Sequence, residues 1–339
     1  MANFTSKDNK IVSDMKECVR SFDLPINEFK PVKGSNIVFT SQARNDHFYS
    51  DIGVTYSKIL KHVGIDVTLN INVPSEKMAE VWELLNLFNG RMPVYHYSIF
   101  QSLNSVSLRA ILLVSEGCLP IGKFKRLLQE MLENTSLCFP LITELVEGAN
   151  PEDLYNRFLE EDDDEGVKGE SAISKEKANK ILNDVKSVFA DFKMLIEKRN
   201  RLDNGFVFNY WDQQMLDVPF GLQVLLFRKN KVVVLSFTPL FNVPDEKVPV
   251  IKELIGRISR VVGNEHLFFN RKTRQVNLIK GVLIDNGVLD RKEFKNSVLS
   301  LYSHGGIFLP IIMEQILSNK TPEDLEAKIL EKAKGYPRL

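Results

Sequence analysis

The sequence predicts an α+β fold built twice over: two tandem copies of an α-βββ-α-ββ-α domain, each with an antiparallel sheet. Three observations predict it. The chain repeats itself at one long offset, apolar residues alternate over several short runs, and runs with helical spacing flank them. Lys7-Asp8-Asn9-Lys10-Ile11 returns 170 residues later as Lys177-Ala178-Asn179-Lys180-Ile181. Over residues 7–22, seven of 16 positions are identical at that offset: Lys7, Asn9, Lys10, Ile11, Asp14, Lys16 and Phe22. Chance would give roughly one, from the roughly 5–7% frequency of common residue types. The offset holds downstream. Val73-Pro74-Ser75-Glu76-Lys77 matches Val243-Pro244-Asp245-Glu246-Lys247, Gly117 and Phe124 match Gly287 and Phe294, and Pro140 matches Pro310. One inserted residue later, Pro151-Glu152-Asp153-Leu154 matches Pro322-Glu323-Asp324-Leu325.

The elements follow in order. Ile11, Met15, Val19 and Phe22 sit at helical spacing, as do Ile181, Val185, Val188 and Phe192. Three strands come next in each copy, near 35–41, 52–61 and 64–72, and near 205–211, 221–229 and 231–241. His62-Val63-Gly64 and Lys229-Asn230-Lys231 separate the second from the third as tight hairpins. Ser75 and Asp245 are capping residues for the next helix. Two more strands lie near 94–100 and 105–115, and near 264–270 and 274–284. In the last strand of each pair, Val106, Leu108, Leu112 and Val114, and Val276, Leu278, Val282 and Ile284, mark one buried face of an antiparallel sheet. Long helical stretches near 120–147 and 290–318 finish each copy, with a kink or break expected at Pro140 and Pro310.

Domain limits follow from the repeat. The first copy spans 1–160, a linker 161–173, and the second copy 174–339. Glu160-Glu161-Asp162-Asp163-Asp164-Glu165-Gly166 is a like-charge run that repels itself, hence the linker reading. An acidic docking tail and a calcium site compete with it, although EF-hand spacing is absent. The helix after Val73-Pro74 carries Met78, Val81, Trp82, Leu85 and Phe88 on one stripe, with Leu84 and Leu87 off it. Its counterpart has Leu254 and Val261 off the stripe. A helix apolar on more than one side is covered on more than one side. Two readings stay open: other helices of the same copy cover it, or it packs one copy on the other as an intramolecular pseudo-dimer. In the second reading Trp82, Leu84, Leu87, Leu254 and Val261 form the inter-copy interface.

Composition narrows the function classes. The 339 residues are 44% hydrophobic and 26% charged, with 44 basic and 44 acidic side chains and no formal net charge. These are globular proportions, and the balance removes the strongest sign of a nucleic-acid or anionic-membrane partner. Three scattered cysteines, Cys18, Cys118 and Cys138, have neither disulfide-framework nor zinc spacing. No run approaches the roughly 18 apolar residues that cross a bilayer. The start of the chain lacks the apolar core of a signal peptide. A cytoplasmic protein with reduced thiols is the expectation.

The chain shows neither a Gly-rich phosphate loop nor a Gly-x-Ser-x-Gly elbow. Of the five histidines, only His96 and His266 occupy equivalent positions. Both lack neighbouring ligands or carboxylates and read as packed rings near the sheet. Acidic pairs on the helices read as solvated faces. Aromatic residues gather on strands, and core packing is the default for them. Those that reach the surface would form a binding patch, with Tyr95, Tyr97, Phe208, Tyr210, Trp211 and Phe268 the candidates for partner binding.

With this element order, each copy resembles a domain of the YbjN family, a bacterial family labelled sensory transduction regulators, which shares the fold of class I type III secretion chaperones. The resemblance rests on Val73-Pro74-Ser75-Glu76-Lys77 and the helix to Phe88, on Arg91-Met92-Pro93, on Gly117 to Phe124 and on the helix bearing Pro140. The second copy repeats these features but has Gly263 in place of Pro93. The resemblance implies no catalytic residues and no cofactor. It implies an adaptor or chaperone-like role, and two copies that pair as chaperone dimers do. The expected function is therefore a non-enzymatic, protein-binding module that takes extended partner segments on apolar sheet and helix surfaces. The alternative is a regulatory domain that holds a small ligand between the copies. Clustered ionisable groups in a cleft, especially around His96 or His266, would point instead to an enzyme or a nucleic-acid binder.

Overall fold

The computed structural model describes residues 5–28, 37–44, 49–58, 61–100, 104–114, 117–164, 172–192, 198–199, 205–210, 220–259 and 265–333. They fall into two units. The first holds Met1–Leu85 and Tyr95–Glu160, the second Asn86–Val94 and Glu161–Arg338. Val261 and Trp211 lie outside the described residues, as do the side chains of Phe208 and Tyr210.

From the amino end the elements are α1 (Ser6–Arg20), β1 (Ile26–Glu28), β2 (Ile37–Arg44), β3 (Tyr49–Ser57), β4 (His62–Leu69), α2 (Met78–Asn89), β5 (Tyr95–Phe100), β6 (Ser105–Leu113), α3 (Ile121–Val146) and α4 (Pro151–Asp164). The same order returns as α5 (Lys175–Asp191), β7 (Lys198–Arg199), β8 (Gly205–Tyr210), β9 (Phe220–Phe227), β10 (Val232–Pro239), α6 (Val248–Ile258), β11 (His266–Asn270), β12 (Gln275–Leu283), α7 (Arg291–Leu317) and α8 (Pro322–Ala333). Both sheets are antiparallel. Their strand orders correspond, β1-β2-β3-β4-β6-β5 and β7-β8-β9-β10-β12-β11.

The expected apolar stripes are the ones that bury. Ile11, Met15 and Val19 of α1, and Ile181, Val185 and Val188 of α5, are all within 1% of full burial. The Thr5 hydroxyl accepts from the Asp8 backbone N–H, and the Asp8 carboxylate accepts from the Thr5 N–H, a reciprocal cap that satisfies two donors at the helix start. Ser174 caps α5 in the same way with one bond, from Lys177 N–H. In β6 and β12, Leu108, Leu112, Leu278 and Val282 pack inward at alternate positions.

Turn geometry repeats with the elements. Gly117 and Gly287 stand at φ 75° and 74°, a left-handed conformation that suits glycine. A Cβ there would meet the Lys7 stem at 3.3 Å and the Lys177 stem at 2.6 Å. Each lysine lies across its glycine, which gives both residues of the recurring pair a packing role.

Several expectations need correction. β1 and β7 add an edge strand to each sheet, and α4 and α8 add a final helix. The hairpin turn precedes His62 instead of containing His62-Val63-Gly64, because Lys61 supplies the positive φ that the turn requires. α3 and α7 run through Pro140 and Pro310 as single helices. A proline deletes one backbone donor, and a long buried face on either side holds both halves in line. The first part of the acidic run is helical, since α4 continues to Asp164. Leu154 and Phe158, 2% and 1% exposed, anchor α4, and repulsion between like charges costs a helix only tenths of a kcal/mol per pair. Among the described residues, no helix is long and apolar enough to cross a membrane.

Candidate protein-binding surface

In the second unit α7 packs on one face of the sheet, against β10 and β12. Leu222, Val224, Leu226, Val233, Leu235, Phe237, Leu278 and Val282 point into that shared core. Strand alternation sends the intervening residues to the outer face. Register then assembles two apolar rows across three strands. Phe227 pairs with Val232, which pairs with Leu283; Leu225 pairs with Val234, which pairs with Gly281. Val232, Val234 and Leu283 are buried and Leu225 is half-buried, while Phe227 is 42% exposed. At the same places the first sheet has Ser57, His62 and Leu113 in one row and Thr55, Gly64 and Ile111 in the other. Its next row carries the Asp66–Arg109 ion pair at 2.6 Å. The contrast is confined to the first two rows, since the second sheet's own next row is Gln223, Ser236 and Ile279.

Part of the apolar face already holds Pro93 and Val94, which lie in a bend between α2 and β5. Within the second unit, the Gly281 N–H donates to the Pro93 carbonyl at 2.6 Å. A Cβ on Gly281 would stand 2.7 Å from that oxygen and 2.8 Å from Val94 Cγ2. Only glycine permits this approach. The Asn86 side chain accepts from the Phe269 N–H at 2.9 Å and donates to its carbonyl at 3.4 Å, closing part of the open edge of β11. His266 Nε2 lies 2.9 Å from the Asn89 carbonyl oxygen, and burial pushes the imidazole down to about 4.

A second feature sits where β11 and β12 meet α7. Glu265 immediately precedes β11, so it lies across from Lys280 of β12. One Glu265 oxygen accepts from Lys280 Nζ and from the Ser300 hydroxyl, both at 2.5 Å. The other lies 3.0 Å from His304 Nδ1. Ser300 and His304 are one turn apart on α7, and the His304 ring stacks on Phe308. Glu265 is 1% and Lys280 6% exposed. Burial alone would push the carboxyl up; the Lys280 ammonium and His304 together outweigh it and hold the group well below the usual carboxylate range. With both its oxygens engaged, the carboxylate works as an anchor that fixes α7 on the sheet.

The first unit solves the same junction with neutral groups. Tyr95, Ala110 and Asn134 stand where the second has Glu265, Lys280 and His304. Asn134 Nδ2 donates to the Tyr95 hydroxyl at 2.7 Å, and the Tyr97 hydroxyl donates to the Asn134 carbonyl at 3.2 Å.

The residues singled out in the sequence fare unequally. Tyr95 and Tyr97, 7% and 0% exposed, are not surface aromatics, because their rings join the core and their hydroxyls meet α3. Phe268 is half-buried, with its ring close over Gly90. Trp82, Leu84 and Leu254 are buried and Leu87 is half-buried. Sequence reasoning passed over Glu265, Lys280 and His304. The signal was present: at three aligned positions Tyr95, Ala110 and Asn134 of the first unit are replaced by Glu265, Lys280 and His304 in the second. Cys18 and Cys138 are buried and Cys118 is exposed, all as free thiols. Among the described residues no group of three or more His, Cys, Asp or Glu side chains converges as metal ligands would.

Known proteins add the following. No curated protein matches the chain. The di-domain ARO/CYC StfQ from the steffimycin biosynthetic pathway aligns over 96% of each chain at 10% identity, but its TM-score of 0.14 carries no information on fold. Residues 51–144, which run from β3 into α3 of the first unit, match the YbjN family, described as "Putative bacterial sensory transduction regulator". Over that stretch the chain is similar to a family of bacterial regulators.

Proposed function

We propose that this chain is a non-enzymatic regulatory adaptor that binds an extended segment of a partner protein on the outer face of the second sheet. The observation that carries the reading is the pair of apolar rows ending at Phe227 and Leu225, beside the place where Pro93 and Val94 already lie. Exposed Phe227 and half-buried Leu225 offer apolar contacts beside a backbone contact that Pro93 already takes, and apolar contacts combined with main-chain bonds are how extended peptides are held. The match to a regulator family over residues 51–144 supports the regulatory part. The repeated element order supports reading the two units as a tandem duplication with a type III secretion chaperone-like fold, specialised after copying.

The test places a photo-crosslinking amino acid at Phe227, and in a parallel protein at Ser57, its counterpart. The expected result is a reproducible set of adducts from position 227 that map to one segment of one partner, and that Leu225→Ser abolishes. Identical adducts from both positions, or none from 227, would overturn the reading.

A further inference from the structure

One end of each unit is built in the same way and carries the same charges. In the second unit the Ile173 N–H donates to the Arg228 carbonyl at 3.1 Å, and Arg228 Nε donates to the Ile173 carbonyl at 2.7 Å. That pair ties the hairpin between β9 and β10 to the start of α5. The Ile284 N–H donates to the Lys231 carbonyl at 2.8 Å and Lys177 Nζ to the Asn286 carbonyl at 3.5 Å, so the segment after β12 closes the ring. Lys175, Lys177, Lys180, Arg228, Lys229 and Lys231 stand on these three segments, against Glu176 and Asp285. In the first unit the Val114 N–H donates to the Lys61 carbonyl at 2.8 Å, the Lys7 stem lies over Gly117, and the Lys58 ammonium is close enough to act on Asp8. Lys7, Lys10, Lys58 and Lys61 share that end. The Asp8 carboxylate there is already engaged by Thr5 and Tyr56.

Four positions are basic in both copies: Lys7 and Lys177, Lys10 and Lys180, Lys58 and Arg228, Lys61 and Lys231. Buried positions have changed more. Asp8, Met15 and Cys18 of α1 give way to Ala178, Val185 and Val188 in α5. Packing over glycine accounts for Lys7 and Lys177, but not for exposed Lys10 and Lys180. Lys61 and Lys231 hold φ 50° and 44°, where glycine or asparagine suits a turn better, yet lysine stands there twice. Charges kept at exposed tips while core residues change point to something outside the chain. The formal net charge of zero conceals this segregation.

The side chains choose among anionic partners. Seven of the eight aligned residues are lysines, point charges on flexible stems; the exception, Arg228, has its Nε engaged by Ile173. Single carboxylates and phosphates are best gripped by fixed, forked donors, and nucleic-acid bases by aromatic platforms. Lysines spread over three tips respond to charge density instead, which is what an anionic lipid surface presents. Beside each lysine and its glycine stands a compact exposed side chain, Val288 at 55% and Cys118, of the kind that the headgroup boundary admits.

We propose that these two ends dock the protein on a membrane surface rich in anionic lipid. The lysines are common to both units and the apolar rows are not, so this proposal does not rest on the adaptor reading. The full chain is sedimented with vesicles of phosphatidylcholine alone, and of phosphatidylcholine with an equal part of phosphatidylglycerol. It should pellet with the anionic vesicles only, and less as salt is raised. Each lysine near such a surface contributes about five-fold in affinity, so Lys10→Gln/Lys61→Asn/Lys180→Gln/Lys229→Gln, which takes two from each end, should weaken binding at least about 25-fold. All four side chains are exposed, and circular dichroism should be unchanged. Lys272→Gln/Lys332→Gln, exposed lysines outside these ends, should bind as the native chain does. No preference for the anionic vesicles, a preference that survives the four substitutions, or an equal loss in the Lys272/Lys332 variant would each overturn the proposal. Tighter retention on poly-glutamate or duplex DNA at matched salt would overturn it in favour of an acidic protein or a nucleic acid. The crosslinking at Phe227 would be untouched by any of these results.

Discussion

At the junction of end strand and long helix, the first unit uses Tyr95 and Asn134, which need only a hydrogen bond. The second uses Glu265, Lys280 and His304, which need one another. Tyr56 and Asp8 offer a further case. The Tyr56 hydroxyl donates to Asp8 at 2.7 Å, and burial, with that carboxylate, pushes the phenol up to about 12; the second unit has Leu226 and Ala178 there. The lesson is that one backbone accepts interchangeable local solutions, provided that each polar group placed inside brings its partner. Differences between the units at solvent-facing positions have no such structural excuse. Phe227, 42% exposed where the first unit has Ser57, is one of them.

The largest break in that comparison comes from splitting the buried set. Lys280→Ala leaves a desolvated carboxylate, and should cost about 3–5 kcal/mol in urea unfolding of the second unit. Installing the first unit's whole solution, Glu265→Tyr/Lys280→Ala/His304→Asn, should recover most of the loss. If the triple variant is no more stable than the single one, the two junctions are not equivalent.

Acid sharpens the comparison next. His266 is buried with its ring pushed down to about 4, against an ordinary value of 6.5. The unfolded chain therefore takes up the proton first, so this stability is present above about 6.5 and lost as pH falls to about 4, on the order of 3 kcal/mol. Glu265 acts lower: its depressed folded value makes its contribution full above the unfolded carboxyl range, about 4.3, and lost below it. Stability of His266→Phe should fall less steeply than that of the native protein between about 6.5 and 4, the remaining slope coming from the buried His62, whose ring is also pushed down to about 4, while the Glu265 effect below that remains.

The smallest effect tests equivalence itself. Arg157 pairs with Glu144 between α3 and α4, and Lys328 pairs with Glu314 between α7 and α8. The first pair is solvent-exposed and the second part-buried, with Lys320 also on Glu314, so Arg157→Ala and Lys328→Ala should each cost about 0.2–1 kcal/mol and less in high salt. A larger loss in one unit would show that its final helix depends on the strut.

The sequence by itself determined the internal repeat and most of the element order, though not the edge strands β1 and β7 or the final helices α4 and α8. Alternation and helical spacing follow from local backbone geometry, and a strand of two or three residues is too short to show either. Val73-Pro74, Gly117 and the stripe of α1 were legible in this way. It did not determine which aromatic rings would be buried: Tyr95 and Tyr97 alternate like surface residues would, and only the arrival of α3 over them makes them core. Nor did it show that Pro140 and Pro310 leave their helices whole, since that depends on buried surface contributed by distant strands. Glu265, Lys280 and His304 are separated by up to 39 positions, and their charges become one anchor only where β11, β12 and α7 meet. Local chemistry writes the elements into the chain, whereas the partners of a buried charge are set by three-dimensional packing.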